Sequence, residues 1–230
     1  MAIHGGGWFH GDKAKDENLA MRLAESGFRV VVPNYRLTPA YRFPAGVDDV
    51  LDAGAWAQST ADPGVKKVAF IGSSAGGNLA VEAALATGQP AVSWSGPIDL
   101  AGFIAETDGT AAADAPTEHY SKISSAAINQ GGRNDGFLRW VILETVANNR
   151  SRLPDATPIN RAVSTSGPIY MANSIREFVP PDGALAMQRA LLNVGVESIV
   201  HAIPGTQHAK GYMDIAYDSS VTFLKRTLDV

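Results

Sequence analysis

The sequence has no cysteine among its 230 residues, which excludes disulfides and any thiolate-ligated metal. Charge is scarce as well: Asp, Glu, Lys and Arg make up 18%, below the roughly 25% usual in soluble domains. With 45% hydrophobic residues, that shortage favours a large buried core over disorder. The 19 basic and 23 acidic residues leave a formal charge of −4, and no basic stretch could neutralise a row of phosphates. No nucleic-acid partner is therefore expected. No apolar run approaches the ~20 residues that cross a bilayer, so no membrane span is expected either. The opening MAIHGGGW lacks a basic and apolar leader, and the expectation drawn from it is a cytoplasmic protein.

What is present is a rhythm. Short apolar runs alternate with longer helix-patterned stretches, as in a single α/β domain over 1–230 with a mostly parallel sheet and helices on both faces. The pattern predicts strands at Met1–Ile3, Phe28–Val32, Val65–Ile71, Ala91–Ser95, Ile169–Ala172 and Ser198–Ile203. It predicts helices at Asp16–Ser26, Pro44–Ser59, Gly77–Thr87, Phe137–Ala147, Ala184–Asn193 and Ser219–Leu228. The rhythm fails over 101–166, which reads as a lid-like insertion above the sheet.

Three features carry chemistry. Gly72-Ser73-Ser74-Ala75-Gly76 is a G-x-S-x-G between a strand and a helix. A chain that reverses there needs small neighbours, and the reversal lifts the Ser74 hydroxyl over a helix N-terminus. His4-Gly5-Gly6-Gly7-Trp8 follows the first strand, and its glycines let backbone N–H groups approach an oxygen that develops negative charge. His208 sits on the loop after the last predicted strand, within reach of a serine at the sheet's carboxyl end. His201 reads as a packed or edge residue, His4 as structural, and His10 and His119 as ordinary loop residues. Asp48, Asp49 and Asp52 read as a solvated or capping helix surface, and no metal or other cofactor is expected.

Together HGGGW at 4–8, NYRLTPAYRFPA at 34–45, GSSAGGNLA at 72–80 and PGTQHA at 204–209 resemble the α/β-hydrolase carboxylesterases related to hormone-sensitive lipase. The resemblance implies an α/β-hydrolase fold and a serine carboxylesterase acting on a small-molecule ester. Ser74 would be the nucleophile, His208 the general base, and the Gly6, Gly7 and Ala75 amides the oxyanion hole. Tyr35, Arg36 and Asp49 would fix the loop beside the site.

The acid is where the chain departs from the family pattern. Many relatives carry an aspartate three residues before a Val-Pro pair, where this chain has Arg176. Relatives with D-P-L-R-D would align theirs with Asn173. Glu177 is the nearest carboxylate and the expected acid, with Asp182, Asp99 or no functional acid left open. The departure keeps two rivals in play: a catalytically silent scaffold that binds without turnover, and an amidase or formamidase using the same site.

Phe137, Leu138 and Trp140 in the insertion point either to a small lid over short acyl or aromatic esters or to ordinary helix packing. The family usually has two strands and most of a third before HGGGW, where this chain has three residues. The corresponding expectation is a sheet without its N-terminal strands, whose exposed edge pairs with another copy to give a homo-oligomer.

Overall fold

The computed structural model describes residues 1–60, 67–114, 120–122 and 131–230. Its centre is a five-stranded parallel sheet in the order β1-β2-β3-β4-β5: Ala2–Ile3, Phe70–Ser73, Ala91–Trp94, Ile169–Ser174 and Ser198–Ile203. Register is fixed by pairs such as Ile3 with Gly72, Ser73 with Trp94, Trp94 with Ala172 and Ser174 with Ile203. The helices are α1 (Glu17–Glu25), α2 (Ala45–Ser59), α3 (Ala75–Thr87), α4 (Leu100–Thr107), α5 (Asp135–Thr145), α6 (Leu153–Ala156), α7 (Asp182–Asn193) and α8 (Met213–Leu228).

Strand side chains alternate between two cores, as the period of two requires. Ile3, Phe70, Ala91, Ile169 and Met171 face one layer, where Val50 of α2, Leu79 of α3 and Met187 of α7 pack. Ala2, Ile71, Val92, Tyr170 and Ala172 face the other, against Leu19 and Leu23 of α1 and Phe223 and Leu224 of α8. Burial on both faces explains why these strands are unbroken apolar runs. α3 is buried along nearly its whole length, from Ala75 to Leu85, which its small residues permit beneath the sheet.

Several elements differ from the sequence pattern, and two of the differences have a clear physical reason. The predicted strand at Phe28–Val32 is not a strand; the Ala2 amide donates to the Val31 carbonyl at 2.9 Å, a tether beside β1 and short of a ladder. β-Branched residues supplied the propensity, and pairing decided the outcome. α8 begins at Met213, before the predicted Ser219, because Ala216 and Tyr217 already pack into the sheet. Residues 65–66 of the predicted Val65–Ile71 strand, and His119, lie outside the described residues. Among the described residues, no helix is long and apolar enough to cross a membrane.

Candidate active site

Ser74 sits between β2 and α3 with φ 56° and ψ −123°, a conformation that costs a non-glycine residue of order 1–3 kcal/mol. The Ser74 amide donates to the Trp94 carbonyl at 2.7 Å, and its own carbonyl accepts from the Asn78 amide at 3.1 Å. The flanking glycines are steric requirements. A Cβ on Gly72 would lie on the Gly76 carbonyl, and one on Gly76 would lie on the Ile3 carbonyl. The turn thus packs directly against β1, and through it against the glycine loop.

That loop crosses the same space. A Cβ on Gly5 would meet the Ser73 carbonyl at 2.7 Å, so only a bare backbone passes beside Ser74. Gly6 has φ 133° and Gly7 φ 60°, and the Gly6 carbonyl accepts from the Phe9 and His10 amides at 3.2 and 2.9 Å. His4 anchors the loop from below: it is buried, its ring stacks on Tyr35 at 4.2 Å, and the Tyr35 hydroxyl donates to the His4 carbonyl at 2.9 Å. Burial is the largest cause that lowers the His4 pKa, consistent with a neutral packing role. Arg36 holds Asp49 through its amide at 2.7 Å and its Nε at 2.9 Å, so Asp49 ties the following loop to α2.

On the far side of the cleft, His208 and Glu177 are in contact through Nδ1 and Oε2, with relative exposures of 2% and 0%. A buried carboxylate is costly unless hydrogen-bonded, and Glu177 is. Its Oε1 accepts from Ser95 Oγ and from the Ser174 amide, both at 2.8 Å, and from Asn173 Nδ2 at 3.4 Å. Asn173 thus supplies a third donor to the Glu177 carboxylate. Asp99 caps α4 by accepting from the Gly102 amide at 2.9 Å, and Asp182 opens α7; neither is placed on His208. His208 Nε2 makes no hydrogen bond among the described residues.

Ser95 was not singled out from the sequence. It follows β3 with φ 54°; its hydroxyl donates to Glu177 and accepts from the Ala209 amide at 2.9 Å, next to His208. The Tyr212 hydroxyl lies 2.6 Å from both Ser95 Oγ and the Ala172 carbonyl, so one proton serves two acceptors. Burial first, and the Glu177 charge second, hold the Tyr212 pKa well above its ordinary value, so it remains a phenol. The available signal was positional: a polar residue at the carboxyl end of a central strand, where open α/β sheets place their ligand-binding groups.

A cavity of about 250 Å³ joins these parts. Gly6, Gly7, Ser74, Ala75 and His208 line it together, while Phe137, Leu138 and Val141 of α5 and Phe178 form an apolar wall. The Phe178 ring lies 4.2 Å from the His208 ring. His10, read as an ordinary loop residue, also lines the cavity, because the positive φ of Gly6 and Gly7 turns the loop back toward it. His201 is the edge residue expected, with Nδ1 2.7 Å from the Tyr170 hydroxyl. Among the described residues, no group of three or more His, Cys, Asp or Glu side chains is gathered to hold a metal ion.

A serine raised on a strand-to-helix turn at the carboxyl end of a parallel sheet, facing a histidine from the loop after the final strand, defines an α/β-hydrolase. The family profile for the alpha/beta hydrolase fold matches residues 1–211, and the chain belongs to that family. Carboxylesterase NlhH of Mycobacterium tuberculosis is 30% identical over 224 residues, covering 93% of this chain and 66% of that protein. Esterase LipC of the same organism is 27% identical over 221 residues, covering 92% and 53%. The chain thus spans between half and two thirds of these relatives' lengths. Among solved structures, a truncated carbohydrate esterase from gut microbiota superposes with TM-score 0.78 at 18% identity, covering 100% of this chain and 85% of its own. An esterase of the bacterial hormone-sensitive lipase family superposes with TM-score 0.75 at 23% identity, covering 99% and 76%. Both structural matches speak to the fold.

Proposed function

We propose that this chain is a serine carboxylesterase that cleaves small esters through an acyl-enzyme on Ser74. In this reading Ser74 Oγ attacks the ester carbonyl while His208 Nε2 takes its proton, and the Gly6, Gly7 and Ala75 amides receive the oxyanion. His208 then protonates the departing alcohol, and water repeats the sequence on the acyl-enzyme. Glu177 holds the imidazole in the tautomer with its proton on Nδ1 and stabilises the imidazolium that forms.

The observation that carries this reading is the buried Glu177–His208 contact in the wall of the cavity that Ser74 enters. A silent scaffold would have no reason to bury a carboxylate with a donor set on one oxygen and an imidazole on the other. The cavity of about 250 Å³ favours short acyl chains or small aromatic esters. Within the lid-like insertion, α5 presents Phe137 and Leu138 to the substrate.

A fluorophosphonate probe tests the chemistry. Native protein is labelled on Ser74 and hydrolyses p-nitrophenyl acetate; Ser74→Ala keeps its circular dichroism and loses both. Undiminished turnover in Ser74→Ala would end the serine-hydrolase reading. A matched panel of acetate esters, acetanilides and formamides separates the esterase from an amidase or formamidase.

A further inference from the structure

Asp16 is a buried carboxylate that the proposed reaction does not use. It stands at the N-cap position of α1, where an aspartate ordinarily accepts an amide of the first helical turn, and its side chain makes no such bond. The carboxylate pairs instead with the Lys210 ammonium, which also donates to the Lys15 carbonyl. Taking a carboxylate out of water is costly even when it is paired, so its burial calls for a use that capping at the surface would not serve.

Each end of this pair is joined to a loop of the site. Lys210 lies in the turn Ala209–Tyr212, which His208 opens and which the Gly211 amide closes by donating to the His208 carbonyl at 2.9 Å. Asp16 ends the turn Lys13–Asp16, and the chain leading into that turn is packed on the glycine loop. A Cβ on Gly11, where φ is 103°, would meet the Gly5 carbonyl at 2.8 Å and His4 Nδ1 at 2.9 Å. Lys15 and Lys210 line the cavity and Asp16 does not, so an influence of its carboxylate on the reaction passes through these loops. A general base and a set of oxyanion donors must meet one ester carbonyl together, and their relative placement is what a tie between the loops would fix.

We propose that Asp16 is a positioning residue: through Lys210 it holds the His208 loop to the turn that backs the glycine loop, and so sets where the imidazole stands relative to the oxyanion amides. This rests on the ester-hydrolase reading and adds to it a residue that touches neither substrate nor the reacting atoms.

The test measures p-nitrophenyl acetate hydrolysis per active site, counted by fluorophosphonate incorporation taken to completion, well below the melting temperature of each variant. Asp16→Asn keeps the shape and removes the charge. It is expected to lower kcat per site by about 10- to 100-fold, the scale of a misplacement of about 1 Å, with KM within about twofold of native. Lys210→Met breaks the same tie from the other side, so the double variant should be no slower than the slower single one. Lys210→Arg can still reach Asp16 and should retain most of the rate. A purely structural pair would lower the melting temperature and leave kcat per site native. That result in Asp16→Asn, or losses that multiply in full in the double variant, overturns the positioning role. Should Asp16→Asn fail to fold, Lys210→Met decides: a loss that Lys210→Arg does not share supports the role, and a native kcat or an equal loss in Lys210→Arg overturns it. Labelling of the native protein reads the two ideas apart. A labelled, active native protein whose variants keep native kcat per site refutes the positioning role alone, whereas a native protein with neither labelling nor turnover refutes the hydrolase reading and the role with it.

Discussion

Ser95 Oγ stands between the two loops that carry Glu177 and His208: it donates to the Glu177 carboxylate at 2.8 Å and accepts the Ala209 amide at 2.9 Å. One hydroxyl therefore sets the spacing of the acid and the base. Removing it in Ser95→Ala leaves a buried amide without its acceptor and takes one donor from a buried carboxylate. Hydrogen bonds to charged groups are worth about 1.5–3 kcal/mol, so kcat for p-nitrophenyl acetate is expected to fall by about 10- to 100-fold. Steady-state kinetics, with a thermal melt to establish folding, check this; an unchanged kcat would remove Ser95 from the acid–base geometry.

The assignment of the acid predicts a contrast between two neighbouring carboxylates. Glu177→Gln keeps the shape but presents an uncharged amide to His208, and kcat should drop by about 10⁴-fold. Asp182→Asn, at the start of α7 and away from the imidazole, should stay within about twofold of the native rate. The reverse ranking in parallel kinetics would transfer the role to Asp182.

At the glycine loop, Gly6→Ala puts a methyl group onto the His10 carbonyl at a backbone φ of 133°. The loop must shift to admit it, which displaces the amides proposed to receive the oxyanion. Loss of one such donor lowers kcat by about 10²–10³-fold. The expected signature is a fall in kcat larger than any rise in KM, and a native kcat would place the oxyanion elsewhere.

Away from the site, Glu82 on α3 is buried against Arg161, and burial pushes its carboxyl up from 4.5 to about 7 despite the pairing. Between those values the folded protein holds a proton that the unfolded chain has released. The stability from this group is therefore complete below about pH 4.5 and is lost as pH rises through about 7, a change of order 3 kcal/mol. Urea unfolding from pH 5 to pH 8 should show the decline, and Glu82→Gln, which cannot ionise, should flatten it. An unchanged slope in the variant would assign the decline to another group.

The parts of the site legible in the sequence are those whose backbone chemistry demands particular residues in a row. Gly72 and Gly76 are required by carbonyls that a side chain would strike, and Gly5 by Ser73, so both loops announce themselves as strings of letters. The strands from β2 to β4 were legible because burial on both faces leaves largely apolar runs. Phe28–Val32 has the same composition and lacks the partners, which no local pattern records. Ser95 and Tyr212 were silent for a related reason: Ser95 meets Glu177, Ala209 and Tyr212 across separations of 82, 114 and 117 residues. Asn173 shows the limit from another side: its amide donates to Glu177 at 3.4 Å, a contact that its place in the sequence does not announce.

β3 supplies none of the three proposed reacting groups, yet Ser95, the residue after it, anchors the loops after β4 and β5 alike. The carboxylate's location is set by where its donors stand and not by which residue of its own loop bears it. Relocating that carboxylate within the loop after β4 would preserve its contacts only where the new side chain still reached the Ser95 hydroxyl.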